Sequence, residues 1–314
     1  MSHPKSDVSV KKKTMSAPSN LWIADITLLC VAFVWGSSYI TAKTVLQNYE
    51  PFMFLFYRFT ITVLLMLPFV WKHLLGASME TWITGAIFGV FLFAIFSFET
   101  WGIDYTSASN SAFIISLTLI LTPIMEWIIN KKFTGNLFFL AVGLSIIGTG
   151  LLTFKDTFSL NFGDILILVA AFLRATQMTF TKRLTDGKIL DNSALTIIQL
   201  AVVAILAGIM NISFEHSTLF IIPKSTEFWL LTIYLALFCT IFAFYAQMVF
   251  IRKTSPSRVG LLMGMEPVFG ALFSVVVGGE YLSFLNWTGG ICIVAATFLG
   301  RQLLDRNKRL KTSI

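Results

Sequence analysis

Four ionisable side chains lie inside long apolar stretches of this sequence, namely Arg58, Glu99, Arg174 and Glu266. A charged side chain in the middle of a membrane helix costs roughly 2.5–3.5 kcal/mol on insertion scales, so each of these groups needs a partner or a water-filled cavity. A guanidinium can hold a carboxylate through two parallel hydrogen bonds, and a buried carboxylate can carry a proton. The four residues therefore indicate recognition of a charged or zwitterionic small molecule, or proton transfer.

Arg174 has two interpretations. It either binds the carboxylate of a substrate or forms a salt bridge that fixes its helix to an acidic neighbour such as Glu266. Gln177 and Thr181 follow it at three and seven residues, which places a polar stripe on one face of the helix. A polar stripe on an apolar helix faces a cavity more often than it faces lipid.

Glu266 is followed by Pro267, which has no amide hydrogen and loosens the helix one turn earlier. Its carboxyl group is either a proton-coupling group or a structural hydrogen-bonding group between the two halves of the chain. Pro123 and Pro267 are predicted bends. Gly260 and Gly264, four residues apart, permit the close approach of another helix and are predicted packing positions.

Other polar and aromatic residues in the apolar stretches are candidates for pocket walls or gates, with ordinary packing and helix capping as the alternatives. Arg58 is predicted to have a structural role, in which it extends to the membrane surface or pairs with Glu50 or Glu99. The predicted substrate-binding residues are Trp35, Ser38, Tyr39, Glu99, Trp101, Asn110, Arg174, Gln177, Tyr245 and Gln247.

The composition is that of a polytopic membrane protein. Hydrophobic residues make up 56% of the 314, and only 12% are charged, against roughly 25% in soluble domains. Three cysteines, all in apolar stretches and without CxxC spacing, argue against a disulfide framework or a zinc site. No metal or cofactor is predicted. The sequence also lacks a Walker motif and a serine-elbow motif, so it predicts no enzyme.

Ten apolar stretches of about 20 residues are each long enough to cross a bilayer. The predicted spans are 22–45, 52–71, 81–101, 107–129, 134–153, 163–183, 193–212, 227–250, 256–277 and 283–303. Residues 1–20 are predicted to be a disordered cytoplasmic tail, with translation starting at Met1 or Met15, and residues 304–314 a basic cytoplasmic tail.

The positive charges predict the orientation. With ten spans, 18 of the 23 Lys and Arg residues fall on the side of the two tails, three on the opposite side and two within spans. Cytoplasmic loops carry the excess of Lys and Arg, so both termini are predicted to be cytoplasmic. Membrane topology accounts for the net charge of +7, and no nucleic-acid partner is predicted.

The two halves of the chain match each other at offsets of 139 and 148 residues. Matched pairs are Asp25 with Asp164, Trp35 with Arg174, Lys43 with Lys182, Glu99 with Gln247 and Thr106 with Thr254. The predicted repeats are 21–154 and 155–303, with five helices each. Because five is odd, the second repeat must insert upside down relative to the first, an arrangement that places a substrate site near the midplane.

Three segments together resemble a known family: AFVWGSSYITAK at 32–43, WGIDYTSASNSAF at 101–113 and MEPVFGALFSVVVGGE at 265–280. They resemble the EamA-type exporters of the drug/metabolite transporter superfamily over residues 22–303. One departure is Leu119, where the first repeat of such proteins usually has proline. The resemblance implies secondary transport without ATP, usually export of amino acids, related metabolites or drugs.

We therefore predict an all-α integral membrane protein with ten transmembrane helices in two inverted five-helix repeats. The predicted function is export, by alternating access, of amino acids or related zwitterions, with proton coupling left open. Multidrug or lipophilic-cation efflux is the first alternative, and a non-transporting membrane protein or intramembrane enzyme is the second. The expected partners are a small-molecule substrate, the lipid bilayer and protons, and the expected state is a monomer or homodimer in the bacterial inner membrane.

Overall fold

The computed structural model describes residues 21–106, 111, 114–131, 135–153, 161–214, 222–276 and 281–312. No β-strand occurs among these residues, and almost all of them are helical. The predicted tail at 1–20 lies outside the described residues. The predicted tail at 304–314 continues the last helix as far as Thr312.

The described chain forms twelve α-helices and one π-helix. They are α1 (Leu21–Leu46), α2 (Pro51–Leu75), α3 (Met79–Tyr105), α4 (Thr118–Asn130), α5 (Asn136–Thr153), α6 (Phe162–Thr185), α7 (Asn192–Phe214), α8 (Thr226–Tyr234), the π-helix Leu235–Phe242, α9 (Ala243–Lys253), α10 (Pro256–Met263), α11 (Glu266–Val276) and α12 (Phe284–Thr312).

Seven helical stretches within the described residues are long and apolar enough to cross a membrane. They are α1, α2, α3, α6, α7, the continuous stretch Thr226–Lys253, and most of α12. Ile114–Asn130 and Asn136–Leu152 are shorter apolar helices. Large apolar side chains such as Phe69, Leu140 and Ile291 lie exposed on the outside, as expected of a surface that faces lipid. The chain is a multi-span membrane protein, which confirms the prediction at this level.

Polar caps and prolines set several helix ends. The side chain of Ser78 accepts a hydrogen bond from the amide of Thr81 at the start of α3, and Asn161 and Asp164 form a capping box at the start of α6. Such caps satisfy amides that have no partner inside the helix. Pro51 occupies the first turn of α2, where its missing amide costs nothing.

Two predicted spans are interrupted. The predicted helix 227–250 contains the π-helix between α8 and α9. The predicted helix 256–277 is divided into α10 and α11 by a turn at Gly264 and Met265. Pro267 explains the second interruption because it cannot donate to the carbonyl of Met263. Pro123, in contrast, lies within an uninterrupted α4.

Glycines allow the helices that carry the site to approach closely. A Cβ atom on Gly36 of α1 would lie only 2.7 Å from the backbone nitrogen of Gly270 in α11. The two backbones therefore pack almost directly against each other. The carbonyl oxygen of Glu266 lies at the same contact, 2.9 Å from the Cβ position of Gly36. The contact therefore holds Glu266 close to Trp35, the residue before Gly36 in α1.

Candidate functional site

Arg174 is buried in the middle of α6 and contacts three other helices. Its Nη2 atom lies 2.6 Å from Glu99 Oε2 of α3, and its Nη1 atom lies 3.9 Å from Glu266 Oε2 of α11. The guanidinium carbon is 5.1 Å from the ring centroid of Trp35 in α1, a cation–π distance. We expected Glu266 as the neighbouring acid, but the hydrogen-bonded partner is Glu99.

The π-helix holds Trp35 in this position. Its backbone carbonyl at Cys239 accepts a 2.8 Å hydrogen bond from Trp35 Nε1. The Trp35 ring also packs against Phe244 at 5.3 Å between centroids. π-Helical turns are rare and frequently occur at functional sites, and here the turn fixes the ring that lies against Arg174.

Arg58 of α2 is also held by the π-helix. Its Nε atom donates a 3.1 Å hydrogen bond to Thr240 Oγ1, and its guanidinium lies 5.1 Å from the ring centroid of Phe96. The residue is only 5% exposed, so it does not extend to the membrane surface, which was one of its two predicted roles, and its hydrogen bond goes to Thr240 and not to Glu50 or Glu99. The aromatic rings and the π-helix hydroxyl provide the environment that keeps this charge inside.

The charged residues line two adjoining cavities. One is lined by both arginines, Arg58 and Arg174, and by both carboxylates, Glu99 and Glu266. We call it the charged cavity. The other also reaches Arg174 and Glu266 and continues between α4 and α10. Arg174 and Glu266 therefore lie where the two cavities meet.

Residues predicted near Trp35 lie at the same place. Ser38 lines the charged cavity, and its hydroxyl donates to the carbonyl of Trp35 at 2.7 Å. Tyr39 is buried on α1, close enough to Glu266 and Arg174 for its hydroxyl to interact with their charges. The α1 wall of the charged cavity therefore combines the Trp35 indole and the Ser38 hydroxyl next to the Arg174 ion pair, and the Tyr39 hydroxyl lies behind it near the same charges.

Gln177 and Gln247 line a third cavity, together with Gln199 of α7. The Gln177 amide nitrogen donates to the carbonyl of Phe88 at 3.1 Å. Gln199 was not predicted. Its signal in the sequence was a lone amide inside an otherwise apolar stretch.

The remaining predicted residues lie apart from the arginines or serve packing. Trp101 stacks on Tyr105 at 5.9 Å between ring centroids, and Tyr245 is 42% exposed; neither is among the residues that line the charged cavity. Asn110 lies outside the described residues. Gly264 packs against Leu119, where a Cβ atom would lie 2.6 Å from a methyl carbon.

The structure also shows the surroundings of the predicted packing and bending residues Gly260, Pro123 and Pro267. Gly260 faces Thr122 of α4 at ordinary van der Waals distance. Pro267 lines the cavity between α4 and α10, and Pro123 is buried within α4.

Among the residues with described placement, no group of three or more His, Cys, Asp or Glu could hold a metal ion.

An ion-pair network at one end of the bundle was missed. Arg258, at the start of α10, donates to both carboxylate oxygens of Asp25 at 2.9 and 2.8 Å and also pairs with Asp305. Arg301 Nε lies 2.8 Å from Asp25 Oδ2. The sequence treats these charges as markers of topology, whereas the structure joins the start of α1, the start of α10 and the end of α12.

Two lysines matched by the repeat make the same kind of contact. Lys43 Nζ donates to the carbonyls of Ile103 and Asp104 at 2.7 and 3.0 Å, at the end of α3. Lys182 Nζ donates to the carbonyl of Arg252 at 2.5 Å, at the end of α9. Asp104 and Arg252 are 148 residues apart, which is one of the two offsets predicted from the sequence.

Comparison with known proteins gives consistent similarities over nearly the whole chain. A family model described as the EamA-like transporter family matches residues 22–154 and 161–300. An uncharacterized transporter of Archaeoglobus fulgidus (strain ATCC 49558 / DSM 4304 / JCM 9628 / NBRC 100126 / VC-16) is 29% identical over 278 residues, which cover 88% of this chain and 85% of the relative.

The uncharacterized inner membrane transporter YedA of Escherichia coli (strain K12) is 25% identical over 285 residues, with 88% of this chain and 90% of the relative covered. A crystal structure of another protein aligns with a TM-score of 0.74 and 17% identity, covering 91% of this chain and 98% of that one. At this identity, the likeness shows the fold alone.

Proposed function

Because the chain belongs to the EamA-like transporter family, we propose that it exports a small zwitterionic metabolite, in the first instance an amino acid, by alternating access. The observation that carries this proposal is the charged cavity. Two guanidiniums and two carboxylates line it, buried among aromatic rings. This set can receive one carboxylate and one ammonium group from the same ligand.

Arg174 is the proposed carboxylate-binding residue. Its Nη2 atom is occupied by Glu99 at 2.6 Å, but Nη1 is 3.9 Å from Glu266, beyond hydrogen-bonding distance. The Nη1 edge is therefore available for a substrate carboxylate, to which it would donate a charge-assisted hydrogen bond. The ammonium group of the substrate would lie against Glu266.

The balance of charge supports a zwitterion over an ion. If all four groups are ionised, the charges of Arg58, Arg174, Glu99 and Glu266 cancel. A zwitterion preserves that balance, whereas a net anion or cation would leave one uncompensated charge in a buried site, which is costly.

Glu266 is the proposed proton-coupling residue. It shares Arg174 with a second carboxylate that makes the shorter contact. A proton on Glu266 would remove one of two like charges in this small volume, and with it the charge that holds the substrate ammonium group, so the proton and the substrate would compete for this position. Exchange of a proton for a substrate at this position would couple the two movements.

The proposed architecture is ten spans in two inverted repeats, 21–154 and 155–303. The family model matches once in each half, and the matched lysines, Lys43 and Lys182, bind the ends of matched helices. Both observations support the repeat. The count of ten adds the two shorter apolar helices and the divided segment 256–276 to the seven long spans.

The proposed location is the bacterial inner membrane with both termini in the cytoplasm. The Escherichia coli relative is named an inner membrane transporter. The excess of Lys and Arg on the side of the tails supports the orientation.

Efflux of lipophilic cations is the second candidate. The aromatic rings of Trp35, Phe96 and Phe244 in the charged cavity favour it, since such rings attract cations. The two arginines in the same cavity count against it. Membership of the EamA-like transporter family, and relatives that are named transporters, argue against a membrane enzyme or a non-transporting protein.

The test is counterflow in proteoliposomes with a panel of labelled amino acids and one labelled lipophilic cation. Purified wild-type protein should accumulate at least one amino acid in exchange for the same unlabelled compound. Accumulation of the cation alone would support the second candidate. Absence of counterflow with every compound on the panel would contradict both.

A further inference from the structure

Three glutamines meet at one level of the bundle, close to Arg174. Gln177, Gln199 and Gln247 each lie six to eight residues from one end of their helix. These three ends belong to one side of the bundle, since Lys182 in α6 and Asn192 at the start of α7 both bind Arg252 near the end of α9.

The depth of the three glutamines in the bundle follows from helix geometry. At 1.5 Å per residue, the glutamines lie about 9–12 Å inside that side of the bundle. Arg174 lies eleven residues from the end of α6, one turn deeper than Gln177. A ligand that arrives from this side reaches the three amides before it reaches the guanidinium.

The most important polar group of the third cavity is the side-chain amide of Gln199. The residue is only 3% exposed and its side chain lines the cavity. Across the part of the chain that the structure describes, its amide has no hydrogen-bond partner in the protein, and it is not among the polar atoms sealed off from the cavity. Because polar groups inside a protein are nearly always hydrogen-bonded, an amide that faces a cavity without a protein partner is open to a hydrogen bond from water or from a ligand.

The other polar groups of this cavity are only partly used. Gln177 donates one hydrogen bond, to the carbonyl of Phe88. Gln247 donates to the sulfur of Met263 at 3.6 Å, and a thioether is a weak acceptor. None of the residues that line the cavity is ionisable. The cavity therefore offers donors and acceptors without a charge.

We propose that this cavity, the glutamine pocket, is a specificity subsite that holds an uncharged, hydrogen-bonding side chain of the amino acid bound at Arg174. The group it takes is an amide or a hydroxyl. This inference rests on the proposed function and assigns the side-chain class of the substrate.

The glutamine pocket is within reach of the Arg174 site. Met178 lines both the pocket and the cavity between α4 and α10, and Phe244 lines both the pocket and the charged cavity. Single side chains therefore separate the pocket from its neighbours. Methionine is unbranched and adapts its shape readily, so a change of the Met178 rotamer would join the pocket to the Arg174 site.

The chemistry of the pocket discriminates against two other classes of side chain. An apolar side chain would displace water from Gln199 and leave its amide unpaired. A site in which a polar group is left unpaired discriminates most strongly against substrate analogues that lack the matching polar group. A charged side chain would find no counter-ion in the pocket. Side chains that both donate and accept match the amides best.

The experiment compares counterflow of labelled amino acids that have similar shape but different polarity: glutamine with methionine, and threonine with valine. In wild-type protein the polar member of each pair should be favoured roughly tenfold, the effect of one buried hydrogen bond. Gln199→Met keeps the length of the side chain and removes the amide, so it should bring the ratio close to one. Met248→Leu, which changes the same pocket without a polar group, should leave the ratio unchanged.

The outcomes separate the subsite from the proposed function. Lack of counterflow by wild-type protein with every amino acid would overturn the proposed function, and the subsite with it. Amino-acid counterflow with the same ratio in wild type, Gln199→Met and Gln247→Met would overturn the subsite alone. If neither glutamine variant folds, the wild-type ratio decides, since a value near one contradicts the pocket.

Discussion

Replacing Arg174 should have two separable effects, one on stability and one on transport. Arg174→Met removes the guanidinium while keeping a side chain of similar length. Glu99, hydrogen-bonded to it at 2.6 Å and only 7% exposed, then becomes a buried carboxylate without its cation. Breaking a buried ion pair from one side costs about 3–5 kcal/mol, so the variant should melt at a clearly lower temperature.

The double variant Arg174→Met/Glu99→Gln removes the unpaired charge and should recover most of this stability. Transport should stay defective in both variants, because the substrate carboxylate has lost its charged donor. A hydrogen bond to a charged group contributes about 1.5–3 kcal/mol, which corresponds to a loss of roughly 10–150-fold in counterflow at low substrate concentration.

The assays are thermal unfolding in detergent and amino-acid counterflow in proteoliposomes. Met66→Leu is the matched control: it lies in α2, is buried, lines none of the three cavities described above, and keeps its volume and polarity. It should change neither quantity substantially. A double variant that is as stable as wild type and transports at the wild-type rate would refute the assignment, since Arg174 would then be only a structural partner of Glu99.

Three further predictions concern the framework around the site. Gly36→Ala should destabilise the protein by about 1–3 kcal/mol in thermal unfolding, because the new Cβ would lie 2.7 Å from a backbone nitrogen. The control Gly143→Ala, whose Cβ would meet nothing within 4 Å, should be neutral or stabilising. Equal effects of the two substitutions would contradict the close approach. Thr240→Val should cost about 1–3 kcal/mol in the same assay because it removes the acceptor of Arg58 Nε, and an unchanged melting temperature would show that this bond is dispensable. Outside the membrane spans, partial burial raises the pKa of Asp191, but hydrogen bonds from the Ala194 amide and His73 outweigh this effect and hold the pKa below its usual value. Asp191 therefore stabilises the fold above about pH 4 and loses this contribution as the pH falls through the lowered pKa. Asp191→Asn should lower the melting temperature at pH 7 by more than it does at pH 3.

Single residues whose chemistry conflicts with a membrane were predictable from the sequence. Arg174 and Glu266 are charges in apolar helices, and that conflict alone was enough to select them. Their pairing was not predictable, because it depends on the depth at which α3, α6 and α11 pack. Spacing along the chain gives no information on whether Glu99 or Glu266 comes closer to Arg174.

The same limit explains the features that were missed. Nothing in the residues of the π-helix Leu235–Phe242 marks its extra width, although this turn holds both Trp35 and Arg58. Arg258 and Asp25 lie near helix ends, where a charge normally needs only water, so their pairing could be found only in three dimensions. Pro267 is the opposite case, since its missing amide predicted the break before α11 directly.

Arg174 joins the two halves of the chain, and this has a consequence for the proposed transport cycle. The arginine and Glu266 belong to the second half, and Glu99 and Trp35 belong to the first. Any rocking of one half against the other must change the 2.6 Å contact, whereas the 3.9 Å contact lies within one half. A substrate carboxylate on the Nη1 edge would share the guanidinium with Glu99 and so would weaken the link between the halves at the moment of binding. Binding and movement would then be coupled through one side chain, without a separate hinge.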